Sequence, residues 1–214
     1  MDDRRRRKLL IDWRRGLIPL SLLTLFILHF GFGTPIWVLA LLSLWVPLYY
    51  LAFPMYLTRT WKEFDRDFTL RFQKQDYKAL LKYYRRQRFL RHFGPRSQML
   101  AKLGLIYSGM EKYREAEHAY EQAIGACRVP PSDQLYFNLA NVKYELGKYD
   151  DALQIYKSLR TNSPYQHSIR TQLALIDLHR GARVEEARTF LEQAQERATG
   201  TLRLRIDEAL TQHS

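Results

Sequence analysis

Two hydrophobic patterns divide this chain. From Gly16 to Thr58 the sequence runs for 43 residues without an Asp, Glu, Lys or Arg. Average composition would place about ten charged residues in that length. After Thr58 charged residues return, and a mixed apolar and polar pattern repeats with a period of 34 to 36 residues. The two patterns together predict an all-α chain, in which an apolar hairpin precedes a series of helix pairs.

The uncharged stretch predicts a two-helix membrane hairpin. It is about twice the roughly 20 apolar residues that cross a bilayer once, and one straight helix would be about 65 Å long against a core of about 30 Å. Its only cluster of helix breakers is Gly31-Phe32-Gly33-Thr34-Pro35, so two spans, residues 16–31 and 36–57, are expected to join there. Two alternatives remain open: a re-entrant hairpin, because the first span is short, and a buried hairpin of a soluble protein.

Positive charge is concentrated on both sides of this hairpin. Residues 1–15 carry seven basic and three acidic residues, residues 59–96 carry twelve and four, and residues 97–214 carry fifteen of each. The positive-inside rule then predicts an integral membrane protein, in the cell inner membrane, with both termini and the C-terminal domain in the cytoplasm. The basic flanks are also expected to contact anionic lipid headgroups. The residues assigned to topology and lipid contact are Arg4, Arg5, Arg6, Arg7, Lys8, Arg14, Arg15, Arg59 and Lys62.

Three similar segments follow, at residues 97–128, 133–164 and 167–198. Each has small residues where two antiparallel helices would pack closely, and Tyr120 and Tyr156 are expected to fill the space toward the next pair. The pattern resembles the tetratricopeptide repeat (TPR) family, and the resemblance implies an α-solenoid of three to four helix pairs. The small residues that carry it are Gly104, Ala116, Ala140, Ala152, Ala174 and Ala187.

The same resemblance divides the chain into segments. A degenerate fourth copy is expected before the three clear ones, because Tyr77, Leu80 and Tyr84 match second-helix positions of the next repeat. Gly147 and Gly181 are expected to end first helices in a left-handed turn. Lys143 replaces the tyrosine that is usual at its position. The predicted organisation is a basic cytoplasmic tail at 1–15, a transmembrane hairpin at 16–58, a basic juxtamembrane degenerate repeat at 59–96, three TPR repeats at 97–200 and a capping helix at 201–214.

Catalytic chemistry is not expected from this sequence. Gly31-Phe32-Gly33 lacks the third glycine and the lysine of a phosphate-binding loop, and no H-E-x-x-H motif is present. Glu115 and His118 have the spacing of half a di-iron site, without the second half. The single cysteine, Cys127, forms neither an internal disulfide nor a zinc cluster. We therefore predict no catalytic, metal or cofactor site, no small-molecule substrate and no enzyme activity.

The TPR resemblance implies a concave groove, lined by the first helix of each repeat, that binds a peptide or helix of another protein. Ala101 and Leu105 stand where chaperone-binding members of the family have lysine and asparagine, so a terminal carboxylate is not an expected ligand. Phe137, Asn141 and Tyr144 form one strip of the floor, which is either the centre of the partner site or a set of packing residues. The predicted groove residues are Gln98, Ala101, Leu105, Gln134, Phe137, Asn141, Tyr144, Thr171, Leu175 and Leu178.

Two functions remain open at this point. The first is a membrane-anchored scaffold or adaptor that binds other proteins at the cytoplasmic face. The second is an accessory or assembly subunit of a membrane complex, in which the hairpin packs against other membrane helices. Nucleic-acid binding is not expected, because the repeat segment from 97 to 214 carries no net charge.

Overall fold

The computed structural model describes residues 23–27, 29–44, 48–159, 165–198 and 200–212. The predicted basic tail with Arg4–Arg15, the start of the first predicted span at 16–22, and Pro164 at the end of the second repeat lie outside the described residues.

Every regular element in the described ranges is helical, which confirms the all-α prediction. Residues 23–27 and 29–32 are helical, and a π-helical turn covers Leu48–Ala52. The α-helices are α1 Ile36–Ser43, α2 Phe53–Gln73, α3 Tyr77–Arg86, α4 Arg88–Phe93, α5 Arg96–Gly109, α6 Tyr113–Gly125, α7 Asp133–Glu145, α8 Tyr149–Ser158, α9 Gln166–His179, α10 Val184–Gln195 and α11 Thr201–Gln212.

The chain divides into two compact units, Met1–Phe64 and Asp65–Ser214. In the first unit the helix is interrupted at residues 33–35, where the turn was predicted. Gly33 has a positive φ of 60°, and its N–H donates to the His29 carbonyl at 3.1 Å. Trp37 and many other large apolar side chains of this unit are exposed.

The two long membrane helices predicted for this unit are not found among its described residues. The second span was expected to run from 36 to 57, but α1 ends after eight residues at Ser43, whose hydroxyl donates to the Ala40 carbonyl at 2.7 Å. The next α-helix begins at Phe53 and continues into the charged sequence up to Gln73. None of the helices in the described residues is both long and apolar enough to cross a bilayer. The predicted integral-membrane localisation is therefore wrong, and the alternative function as a subunit held by that hairpin loses its basis.

The second unit is built from successive helix pairs. The pairs α5/α6, α7/α8 and α9/α10 pack within themselves, and α6 also packs on α7 and α8 on α9. The small residues predicted at the helix contacts are buried; in particular, Gly104 lies against the ring of Tyr120, which is 1% exposed. Gly147 and Gly181 have positive φ after the first helices, as predicted, and Glu111 has the corresponding conformation in the first repeat.

Side chains and apolar packing define the ends of several helices. The carboxylate of Asp76 caps α3 by accepting from the Ala79 N–H at 3.0 Å, and Ser132 caps α7. Such side-chain caps satisfy backbone donors that the first helical turn leaves free. The thiol of Cys127 lies just beyond α6, where it is 2.9 Å from the Ser97 hydroxyl.

The segment before the first clear repeat packs against it through two helices. Phe68 of α2 and Leu80 and Tyr84 of α3 are buried, and α3 and α4 both pack against α5. Lys102 of α5 joins this segment through an ion pair with Asp65 at 2.5 Å, and its ammonium group lies 4.3 Å from the centre of the Phe68 ring. That this segment is a degenerate fourth repeat stays a prediction.

Candidate functional site

The first helices α5, α7 and α9 carry the predicted groove residues, but these residues differ in accessibility. Gln98 and Gln134 are exposed, and Ala101, Leu105, Phe137 and Asn141 are half-buried. The remaining four predicted groove residues are buried. They are Tyr144, Thr171, Leu175 and Leu178. The residues that form the floor of the predicted groove are therefore accessible on α5 and the first part of α7, and buried at the end of α7 and on α9.

The middle of the floor takes part in packing between repeats. The ring of Phe137 stacks on Tyr165, with centroids 5.2 Å apart, and meets Tyr156 edge-on at 5.9 Å. The amide oxygen of Asn141 accepts a hydrogen bond from the Tyr156 hydroxyl at 2.6 Å. Phe137 and Asn141 therefore both contact Tyr156 on the second helix of their own repeat, and each keeps part of its surface accessible.

Tyr144 is more deeply enclosed than the rest of the strip. Its ring packs against Tyr149 and lies close to that of His179, and its hydroxyl is 2.9 Å from Nε2 of His179. Burial raises the pKa of the Tyr144 hydroxyl above its ordinary value, with Tyr149 adding to the shift. The side chain remains 8% exposed, so it contributes more to packing than to an open surface.

Helix α11 closes the C-terminal end of the floor. It packs against both α9 and α10, and Ile206 and Ala209 belong to the same apolar cluster as Leu175 and Leu178. The guanidinium of Arg205 forms an ion pair with Glu145 at the end of α7. A polar cavity of about 300 Å³ remains here, lined by Tyr144, Glu145, Tyr149, His179, Arg205, Glu208, Ala209 and Gln212.

The electrostatics of this end are dominated by burial. Burial raises the pKa of Glu145, and the nearby positive charge of Arg205 only partly opposes it. The ion pair is therefore a contact that helps to hold α11 against α7, since a buried carboxylate without a partner would be costly.

A charge network between the first and second repeats was not predicted. The ammonium group of Lys143 lies 2.9 Å from Glu117 and 3.1 Å from Asp151, and that of Lys148 lies 2.7 Å from Glu117. Burial by itself raises the pKa of Glu117, but hydrogen bonds from Lys148 and Lys143 outweigh it and leave the pKa below its ordinary value. Burial likewise lowers the pKa of Lys143, and its bonds to Glu117 and Asp151 more than reverse this. The sequence feature that could have indicated this charge network is Lys143, which replaces the tyrosine usual at that position.

The other predicted contact residues have simpler surroundings. Arg59 and Lys62 are exposed on α2, and Arg59 pairs with Glu63 at 3.1 Å. Their contact with anionic headgroups stays a prediction. In the part of the chain that the structure describes, no group of three or more His, Cys, Asp or Glu side chains is placed to hold a metal ion.

Comparison with known families supports the repeat assignment. The tetratricopeptide repeat family model matches residues 101–167, from the middle of α5 to the start of α9. Repeats of this family generally mediate protein–protein interactions, and its proteins are generally non-catalytic scaffolds. A search of curated proteins gives no match.

Proposed function

We propose that the tetratricopeptide repeats of this chain form a scaffold that binds a segment of another protein on the accessible part of the concave floor. The observation that carries the proposal is that some of the predicted groove residues are accessible and others are buried. Gln98, Leu105 and Gln134 keep accessible surface on α5 and α7, whereas Leu175 and Leu178 on α9 are buried.

The accessible part has a defined chemistry. Its polar groups are the side-chain amides of Gln98, Gln134 and Asn141, each of which both donates and accepts hydrogen bonds. Ala101 and Leu105 add apolar surface beside them. Neutral amides next to apolar groups suit the backbone and apolar side chains of a peptide, and they offer no charge to a small ionic ligand.

The half-buried strip residues form the inner edge of the proposed site. Phe137 and Asn141 hold Tyr156 and Tyr165 in place while presenting part of their own surface. Tyr144, the third residue of the strip, is instead enclosed by Tyr149 and His179. The proposed centre of binding therefore lies nearer to Gln134 than to Tyr144.

Site-specific photo-crosslinking tests the proposal. The photoreactive amino acid p-benzoylphenylalanine is placed at Gln98 or Gln134 in the full chain, and in a control at Gln154, which is exposed on the second helix α8. After irradiation in cells of the source organism, the crosslinked peptides are identified by mass spectrometry. We expect Gln98 and Gln134 to crosslink to the same segment of one partner, with little or none of it at Gln154.

Two results would contradict the groove proposal. One is the same partner segment captured equally from Gln154 and from the floor positions. The other is a partner captured only from Gln154, which would place binding on the outer helices. Thermal unfolding of each labelled chain shows that the label leaves the fold intact.

A further inference from the structure

A strongly basic surface lies on α3 and the start of α4, and its lining includes none of the predicted groove residues. Five cationic side chains line a shallow cavity of about 420 Å³ together with Leu81, and no acidic side chain contributes to its lining. We call it the α3 basic surface. Its cations are Lys78, Lys82, Arg85, Arg86 and Arg88.

The cations of the α3 basic surface lie side by side without a carboxylate among them. Within the described residues, none of the five side chains forms an ion pair or a side-chain hydrogen bond. The nearest acidic residue in sequence, Asp76, is engaged in capping α3. Elsewhere in the same unit many cations do pair with carboxylates. They include Lys102, Lys143, Lys148, Arg180, Arg183, Arg188 and Arg205.

The arrangement disfavours the beginning and middle of α3, whereas Arg85 and Arg86 lie in its last turn, where the helix dipole favours positive charge. Lys78 and Lys82 are four residues apart, as are Lys82 and Arg86, and like charges at this spacing destabilise a helix by about 0.2–0.5 kcal/mol per pair. Lys78 also lies in the first helical turn, where the helix dipole disfavours a positive charge. An anion on this surface would relieve all of these repulsions at once.

The fold does not need these side chains for packing. Helix α3 is anchored by Leu80 and Tyr84 on its inner face, both of which are buried. Lys78, Lys82 and Arg85 lie on the outer side and are exposed. Leu81 is half-buried between them and gives the cavity an apolar patch.

We propose that the α3 basic surface binds a short acidic segment of a partner protein. The choice of a protein segment rests on the proposed scaffold function, and the surface is distinct from the groove. The length of α3 supports a short segment, because its ten residues span about 15 Å, which an extended chain covers in about four to five residues. Side-chain carboxylates from such a segment can pair with the arginines in the planar two-point geometry that guanidinium groups favour.

The neutral repeats do not favour a longer polyanion. Residues 97–214 carry fifteen basic and fifteen acidic residues, so a nucleic acid that extended over the repeats would gain no net attraction there. Stable nucleic-acid binding usually draws on more phosphate contacts than this surface spans. Leu81 also matches an apolar side chain within a peptide better than it matches a sugar–phosphate backbone.

The test measures binding of a fluorescein-labelled hexaglutamate peptide to the full chain by fluorescence polarisation at an ionic strength of about 0.01 M, where screening is weak. The α3 variant carries Lys78→Gln, Lys82→Gln and Arg85→Gln. The matched control carries Lys112→Gln, Arg170→Gln and Arg203→Gln, three exposed cations elsewhere in the same unit. Both variants lose three positive charges, so net charge alone cannot separate them.

We expect the α3 variant to bind hexaglutamate about tenfold more weakly than the unsubstituted chain, and the control less than about twofold more weakly. Thermal unfolding should show both variants folded. Equal weakening in the two variants, or no binding by the unsubstituted chain, would overturn the proposal. A labelled hexathymidylate that binds more tightly than hexaglutamate, with loss in the α3 variant alone, would reassign the surface to nucleic acid. Because the groove is unchanged throughout, these outcomes are independent of the photo-crosslinking result.

Discussion

The contact between Gly104 and Tyr120 allows a direct test of how closely the repeat helices approach. A Cβ atom added at Gly104 would lie 2.6 to 2.8 Å from three atoms of the Tyr120 ring, well inside van der Waals contact. The ring is 1% exposed and lies between α5 and α6, so it has little room to move away. The change Gly104→Ala should therefore push the two helices apart.

The magnitude follows from two opposing effects. Overpacking a rigid core costs about 1–3 kcal/mol, and three simultaneous clashes with a buried ring place this case at about 3 kcal/mol. The higher helix propensity of alanine relative to glycine raises the free energy of unfolding by about 1 kcal/mol. The expected net loss is about 2 kcal/mol of unfolding free energy, or about 4–8 °C in Tm for a unit of this size.

Gly125→Ala is the matched control. Gly125 is the last residue of α6, and an added Cβ would meet nothing within 4 Å. Only the helix-propensity gain of up to about 1 kcal/mol applies there, so Tm should stay or rise slightly. Both variants are measured by urea and thermal unfolding. If Gly104→Ala is as stable as the unsubstituted chain while the control behaves as expected, the close approach is not present in solution.

A double-mutant cycle assigns the loss to its cause. Tyr120→Leu removes the ring and should cost stability by itself, but it also removes the atoms that clash. In that background Gly104→Ala should become neutral or stabilising, which gives a coupling of about 2–3 kcal/mol. Simple additivity of the two changes would mean that the loss at Gly104 comes from somewhere other than Tyr120.

Three further changes test other parts of the fold. Tyr156→Phe removes the hydroxyl that donates to Asn141, and chemical denaturation should show a loss of about 1 kcal/mol, with no change counting against that bond. Ile206→Ala on α11 should lower the free energy of unfolding by about 2–4 kcal/mol, whereas Leu204→Ala on the same helix, where the side chain is 68% exposed, should change it by no more than about 0.5 kcal/mol. Equal effects would mean that α11 does not pack as described. Because the pKa of Glu117 is lowered in the folded chain, its ionised form stabilises the fold above the ordinary carboxyl pKa, and this stabilisation is lost as the pH falls through the lowered pKa. Glu117→Gln should therefore reduce the fall in Tm between neutral and acidic pH. An unchanged dependence of Tm on pH would refute this.

The repeat period was sufficient to predict the helix pairs and their closest contacts. Small residues at constant spacing leave few ways for two helices to meet, and Gly104 and Ala116 accordingly lie at the α5–α6 contact. The turn glycines were predictable for a similar local reason, since positive φ at Gly147 and Gly181 follows from backbone sterics alone.

Other features depend on tertiary placement that a linear pattern does not contain. Hydropathy reports how favourably a segment leaves water, not how long its helices are, and α1 stops at Ser43 within a stretch that stays apolar. A capping helix was predicted, but the sequence did not show that Leu175 and Leu178 would be buried in the same apolar cluster as its residues Ile206 and Ala209. The ion pairs of Lys143 join α7 to the helices before and after it, and the only sequence signal for them was that Lys143 replaces the usual tyrosine.

The position of α11 also sets an upper length for whatever occupies the concave floor. With α9 covered, the accessible floor consists of α5 and the first part of α7, and two helices of about 10 Å diameter provide a track of about 20 Å. An extended chain crosses that distance in about six residues. If the proposed groove binds a partner, the expected motif is about half a dozen residues long, and longer flanking sequence would have to leave the surface where Arg205 meets Glu145.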